Sequence, residues 1–137
     1  DVSKVTSMRN TFLNATAFQG RGLERWKVGS VTRMDFMFNN ATAFDADLSL
    51  WNVSKVTNMH SMFMDATAFQ GRGLENWNVS EVKFFSHMFN GATAFNADLS
   101  RWNVGVAATK GMFNGASSYN PPFALGSRSD PSEGLET

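Results

Sequence analysis

The segment of residues 51–69 reads WNVSKVTNMHSMFMDATAF, and close copies of it return along the 137-residue chain. A tryptophan opens or closes each copy, at intervals of 25, 26 and 25 residues. The four tryptophans are Trp26, Trp51, Trp77 and Trp102. Recurrence at such a period is typical of a tandem-repeat protein, in which each repeat buries its apolar face against its neighbours.

Phenylalanine recurs in two further columns of the same repeat. One column ends the pair Met-Phe or Thr-Phe, and it contains Phe12, Phe38, Phe63, Phe89 and Phe113. The other ends the phrase Ala-Thr-Ala-Phe, and it contains Phe18, Phe44, Phe69 and Phe95. Together with the tryptophans, these side chains are the predicted core, because large apolar residues at a fixed period are more often core than ligand site.

A longer period lies inside the first. Residues 1–26 and 52–77 agree at 18 of 26 positions, including the phrase Gln-Gly-Arg-Gly-Leu-Glu, whereas the second and fourth repeats carry Asp-Ala-Asp-Leu-Ser or Asn-Ala-Asp-Leu-Ser there. The duplicated unit is therefore 51 residues, made of two unlike repeats. The predicted organisation is five repeats at about 1–26, 27–51, 52–77, 78–102 and 103–115, a cap at 116–125 and a polar tail at 126–137.

Spacing within the repeat predicts a short helix. Val56, Met59, Met62, Phe63 and Ala66 follow steps of three and four, which place them on one helix face. The residue before the alanine is of a type that tolerates the left-handed conformation with which many helices end. These residues are Asn14, Asn40, Asp65, Gly91 and Gly115.

A short strand is predicted around the leucine of each repeat, and the alternative places it on Trp-x-Val. The leucines are Leu23, Leu48, Leu74 and Leu99. The resulting fold class is an α/β repeat solenoid of the leucine-rich-repeat type, with one short parallel strand and one short helix per 25- to 26-residue turn.

The phrases at residues 51–59, 62–63 and 66–69 carry a family resemblance. They resemble the 26-residue bacterial surface-protein repeat of the BspA-like leucine-rich-repeat family, of the Mycoplasma-lipoprotein type, over residues 1 to about 119. The resemblance implies a leucine-rich-repeat-like solenoid at the cell surface or outside the cell, used in adhesion or protein–protein contact, and it transfers no catalytic residues. Because the chain begins inside a repeat, without a signal peptide, we expect a fragment or a processed product.

Composition argues against several functions. Twelve basic and twelve acidic residues cancel, so no basic stripe suits nucleic acid. The chain has no cysteine, only His60 and His87 as imidazole ligands, and no phosphate loop or paired-acid motif. No run of about 18 apolar residues suits direct membrane insertion. We therefore expect no enzyme activity, no cofactor and no metal site.

Two groups of polar residues are candidate sites. Four Asn-x-Ser/Thr sequons, at Asn14, Asn40, Asn52 and Asn78, are candidates for N-glycosylation, although the repeat consensus alone would create them. Charge also alternates along the repeats in a candidate interaction strip, where Arg21 is expected to pair with Asp47 and Arg72 with Asp98. The strip contains Arg21, Asp45, Asp47, Arg72 and Asp98. Exposed pairs of this kind are usually weak, so a merely solvated ladder is the simpler interpretation.

Threonine files at positions 6, 32 and 57 and at positions 16, 42, 67 and 93 raise ice binding as a remote alternative, against plain capping and turn chemistry. The favoured function is a non-enzymatic interaction module, whose partner is another protein or a neighbouring solenoid subunit, or else a glycan. The alternative is a structural subunit of a filament or large assembly.

Overall fold

The computed structural model describes residues 1–120. The tail predicted at 126–137 and the second half of the predicted cap lie outside the described residues. Within 1–120, successive repeats stack on one another, so that almost every long-range backbone hydrogen bond joins residues about one repeat apart. One residue per repeat forms a parallel bridge to its equivalent in the next. The bridged residues are Ser7, Arg33, Asn58, Phe84 and Ala108.

Backbone amides alternate between two kinds of partner. In the third repeat, the N–H groups of Met59, Ser61 and Phe63 donate to carbonyls of the fourth repeat at 2.9 to 3.0 Å. The intervening amides of Met62 and Met64 close tight turns onto carbonyls three residues earlier, at 3.2 and 3.3 Å. The backbone is thus satisfied half within the repeat and half by its neighbour, as burial requires.

Two left-handed residues, four positions apart within the tight turns of each repeat, make this alternation possible. In the third repeat they are Ser61 and Asp65, with φ of 53° and 59°. The left-handed residues at the second of these positions were predicted, and the structure has all five of them, at Asn14, Asn40, Asp65, Gly91 and Gly115. Those at the first position were not predicted. They are Asn10, Phe36, Ser61, His87 and Gly111.

The prediction of an α/β repeat solenoid, with one helix and one strand per turn, is wrong. Residues 1–120 contain no α-helix and no strand longer than a single bridge, and their helical segments are two 3₁₀-helices, Leu23–Arg25 and Leu74–Asn76. The expected helix does not form, because apolar residues spaced three and four apart also share one face of a series of consecutive tight turns. A left-handed residue in every fourth position excludes an α-helix.

The predicted strand positions are wrong as well. Two of the four leucines, Leu23 and Leu74, begin 3₁₀-helices, and no parallel bridge falls on a leucine or on Trp-x-Val. The bridges lie instead within the segment predicted as helix, directly before its methionine column. A glycine with φ near +92° precedes each of these two leucines and turns the chain away from an extended path.

Aromatic rings form two parallel columns through the core. Phe12, Phe38 and Phe63 follow one another at centroid distances of 5.5 Å with interplanar angles of 4°. The second column runs alongside, and the two meet within each repeat, as Phe38 does with Phe44 at 3.9 Å. Within the two columns, the phenylalanines of repeats two to five are buried, whereas Phe12 and Phe18 of the first repeat are only partly buried.

The tryptophans join the core to the backbone of the preceding repeat. Each buried indole N–H donates to a leucine carbonyl one repeat back: Trp51 to Leu23 at 2.8 Å, Trp77 to Leu48 at 3.1 Å, and Trp102 to Leu74 at 2.7 Å. These bonds satisfy the only polar atom of the side chain and fix the register between repeats. Trp26 is partly buried.

A pair of glycines tests how much stability the contact between repeats provides. Gly22 and Gly73 have φ of +92° and +93°, but a Cβ on Gly22 would meet open space while one on Gly73 would collide with the backbone of Ser49. We expect Gly22→Ala to lower the free energy of unfolding by about 1 to 2 kcal/mol, the cost of a left-handed alanine. Gly73→Ala should cost about 2 to 5 kcal/mol, since overpacking adds to that cost. Urea denaturation measures both, and equal losses would contradict this account of the packing.

Candidate interaction surface

The segments that follow the second phenylalanine of each repeat form one grooved surface. In the first and third repeats this segment is Gln-Gly-Arg-Gly, and a Cβ added to Gly20 or Gly71 would collide with the ring of Phe44 or Phe95 in the next repeat. Glycine therefore lets the loop lie directly on the neighbouring aromatic ring, and the shorter Asp/Asn-Ala-Asp segments alternate with it.

Two neighbouring grooves open on this surface. The first groove has a volume of about 460 Å³ and is lined by residues of segments 19–24 and 43–47. The second groove has a volume of about 520 Å³ and is lined by residues of segments 47–49, 70–75 and 94–98. Asp47 and Arg72 line both grooves. The surface thus combines small apolar residues and glycines with charges of both signs.

Asp45 is held by a clamp from the following repeat. Its carboxylate accepts the backbone N–H of Gln70 and the Gln70 side-chain amide, each at 3.0 Å, and the Arg72 guanidinium at 3.2 Å. Arg72 also donates to the Asp45 carbonyl. The Arg72 side chain is 55% exposed and that of Asp45 is 24% exposed, so solvent weakens the ion pair and the hydrogen bonds define its geometry.

The ion pairs expected along the strip do not form within residues 1–120. Arg72 bonds with Asp45 of the preceding repeat instead of Asp98 of the following one, and Arg21 has no ion pair. Asp47 and Asp98 each accept the backbone N–H of the serine two residues on, at 2.9 Å. These hydrogen bonds are the main cause that lowers the pKa of both carboxyls below the ordinary value.

A buried carboxylate escaped the prediction. The Asp35 side chain is only 3% exposed and accepts from Arg33 at 2.8 Å and from Arg9 of the first repeat at 3.1 Å. The signal for it lies in the repeat alignment, where Asp35 is the residue of its repeat equivalent to Arg9. Opposite charges at one repeat position, in adjacent repeats, predict an ion pair along the stack.

The two histidines occupy different repeat positions, yet their rings lie 5.8 Å apart at an interplanar angle of 85°. The ring of Phe36 packs edge-on against His60 at 5.1 Å. Burial, and then the neighbouring His87, lower the pKa of His60 below 6.5, while Asp35 partly opposes them. Within residues 1–120, no three histidine, cysteine, aspartate or glutamate side chains gather as a metal site would require.

The sequon asparagines divide into two structural types. Asn40 donates one hydrogen of its side-chain amide to the side-chain oxygen of Asn14 at 3.0 Å, so a sugar on Asn40 would have to replace the other hydrogen. Asn52 and Asn78 are exposed, and each uses its side-chain oxygen to accept the backbone N–H of the serine two residues on, at 3.0 and 3.1 Å. The side-chain nitrogens of Asn52 and Asn78, to which a sugar would be attached, take no part in these hydrogen bonds.

The threonine hydroxyls connect repeats instead of capping turns. Thr32 and Thr57 donate to the carbonyl of the threonine one repeat earlier at 3.1 and 3.2 Å. The second file repeats this pattern at 3.4 to 3.5 Å, through Thr42, Thr67 and Thr93. Because the hydroxyl hydrogens are already engaged, these files present fewer donors to ice than the sequence suggested.

These features define a tandem-repeat protein built from stacked tight turns, with one grooved and mixed-charge surface. A family model described as "Mycoplasma protein of unknown function, DUF285" matches residues 1–73 and 70–126, and the chain belongs to this family. No curated protein and no solved structure matches the chain. No helix within the described part of the chain is long and apolar enough to cross a membrane.

The lowered pKa of His60 predicts a pH dependence of stability. Above pH 6.5 the imidazole is neutral in both states and contributes nothing; as the pH falls below this value, the unfolded chain binds the proton first and the folded state loses stability. The loss stops growing below the folded-state pKa. We expect His60→Gln to remove this part of the pH dependence in denaturation curves recorded between about pH 7 and 4. A slope that His60→Gln leaves unchanged would rule out His60 as its source.

Proposed function

We propose that this chain is a non-enzymatic interaction module at the cell surface or outside the cell, and that it binds a partner protein through the two grooves. The observation that carries the proposal is the pair of adjacent grooves, of about 460 and 520 Å³, which share Asp47 and Arg72. Their mixed charge suits the polar and charged side chains of a protein surface.

The stack itself favours binding over chemistry. Its core side chains are close-packed aromatic, methionine and valine residues, and its backbone amides are used in tight turns and in contacts between repeats. Partner recognition on such a scaffold depends on side chains carried by loops, here the segments around Arg21, Asp47 and Arg72. An extended array of this kind offers a partner several equivalent contacts along one surface.

The surface location rests on resemblance. Membership of the Mycoplasma family supports a relation to the BspA-like surface-protein repeats, whose members are displayed outside the cell and used in adhesion. Three exposed sequon asparagines, Asn14, Asn52 and Asn78, suit an extracellular chain in an organism that glycosylates. A glycan partner is the less favoured variant of this function, since no aromatic side chain of either groove offers an exposed face for a sugar ring.

A panel of purified extracellular-matrix and cell-surface proteins, tested by surface plasmon resonance, examines this proposal. The variant Asp47→Asn/Glu75→Gln removes two carboxylates from the grooves and should weaken any specific binding about fivefold or more. Asparagine keeps the oxygen that accepts the Ser49 amide, as Asn52 shows for Ser54.

The matched control is Asp1→Asn/Glu81→Gln, which removes two charges outside both grooves, and Asp1 accepts the Ser3 amide as Asp47 accepts that of Ser49. Binding that the control weakens as much as the groove variant does would contradict the proposal. The alternative, a structural subunit of a filament, predicts no partner in the panel and a sedimentation coefficient that rises with protein concentration.

A further inference from the structure

The second groove lies inside the stack. Its lining residues belong to segments 47–49, 70–75 and 94–98 of the second, third and fourth repeats, and a described repeat lies on either side of these three. Its volume of about 520 Å³ is within the range of roughly 300 to 1,000 Å³ that is typical of ligand sites. The walls of this groove are therefore formed by repeats that have neighbours on each side.

Three carboxylates line the second groove without a cation of their own. They belong to Asp47, Glu75 and Asp98, and none of them forms an ion pair within residues 1–120. Asp47 and Asp98 accept hydrogen bonds from the neutral serines two residues on. These bonds hold the pKa of both carboxyls below the ordinary value, so both stay ionised at neutral pH. The groove thus carries uncompensated negative charge.

Arg72 also lines the second groove, but its guanidinium is bound elsewhere. It pairs with the carboxylate of Asp45 at 3.2 Å and donates to the Asp45 carbonyl, and Asp45 lines the first groove and not the second. Among the causes that lower the pKa of Asp47, the charge of Arg72 is the smallest. The carboxylates of the second groove are therefore left to attract a cation from a partner.

An exposed apolar residue stands at the rim of this groove. Leu50 directly follows Ser49, which lines the groove, and it is 79% exposed. The same repeat position is polar in the other repeats, as Arg25, Asn76 and Arg101, so the fold does not require a leucine there. A partner that covers this leucine gains from the burial of apolar surface.

We propose that the second groove binds a segment of a partner protein that inserts a positively charged side chain among the three carboxylates and covers Leu50 with an apolar neighbour. The charged side chain compensates the carboxylates. The apolar one excludes water beside them, which strengthens the attraction. The inference rests on the proposed function for the existence of a partner, and it names the chemistry that this partner presents.

Two pentapeptides, blocked at both ends, form the test. One has the sequence Ser-Leu-Arg-Leu-Ser, and the other replaces its arginine by citrulline, which keeps the shape of the side chain and removes the charge. Each is titrated into the ¹⁵N-labelled 137-residue protein, and the backbone amides of Gly73 and Glu75 are followed by NMR. We expect the arginine peptide to bind about three- to tenfold more tightly, because each exposed charge pair contributes little and three carboxylates act together.

The variant Glu75→Gln/Asp98→Asn tests the location, since both carboxylates line the second groove and not the first. We expect it to reduce the preference for the arginine peptide to less than about twofold. The control Asp1→Asn/Glu81→Gln, which removes two charges outside both grooves, should keep the preference. Equal affinity for both peptides in the unmodified protein, or a preference that Glu75→Gln/Asp98→Asn leaves intact, would overturn the inference.

A third variant, Leu50→Ser, separates the apolar contact from the charge. It should weaken the binding of both peptides by about two- to fourfold and leave the ratio of their affinities unchanged, because it removes apolar surface and no charge. Unchanged affinity for both peptides would overturn the contact with Leu50. The titration needs no natural partner, so its failure and the failure of the protein panel are separate results.

Discussion

The structure depends on the division of backbone hydrogen bonds between a repeat and its neighbour. An isolated repeat could satisfy only the amides that close its tight turns, such as those of Met62 and Met64. The other half would face water together with the apolar rings of the repeat, so an isolated repeat would lose both its hydrogen bonds to a neighbour and the burial of its core. Repeats therefore stabilise one another twice, through these amides and through the burial of their aromatic rings, and a single repeat cannot be stable alone.

The same division explains how a fold almost without helix or strand can remain ordered. Phe38 and Phe44 stack at 3.9 Å within a repeat, and Phe38 meets Phe63 of the next at 5.5 Å, so each ring has contacts along both directions of the core. The tryptophan N–H then fixes each repeat to the one before it. Register is set by these directional contacts, since apolar columns alone would tolerate a slip along the chain.

The period and the core residues could be read from sequence because both depend only on identity at a fixed spacing. The local structure could not, since the steps that connect Val56, Met59 and Phe63 suit an α-helix and a series of tight turns equally well. The left-handed conformation of Asp65 could be predicted, because aspartate often adopts it. That of Ser61 and Phe36 could not, because these residue types rarely do. The partner of Arg72 was misassigned for a related reason: sequence places both Asp45 and Asp98 one repeat away, and only the direction in which the loop leans selects Asp45.

The 51-residue duplication gives the grooved surface its polarity. If all repeats were alike, each loop would meet an identical loop, and like charges would face one another along the stack. Alternating Gln-Gly-Arg-Gly with Asp-Ala-Asp places a donor loop on an acceptor loop, as Arg72 lies on Asp45. The first glycine of each longer loop, Gly20 or Gly71, lies against a ring of the next repeat, and the shorter loop leaves space beside it, so the grooves follow from the alternation itself. A surface of this kind can change its charged residues while the turns and the aromatic columns beneath it stay the same.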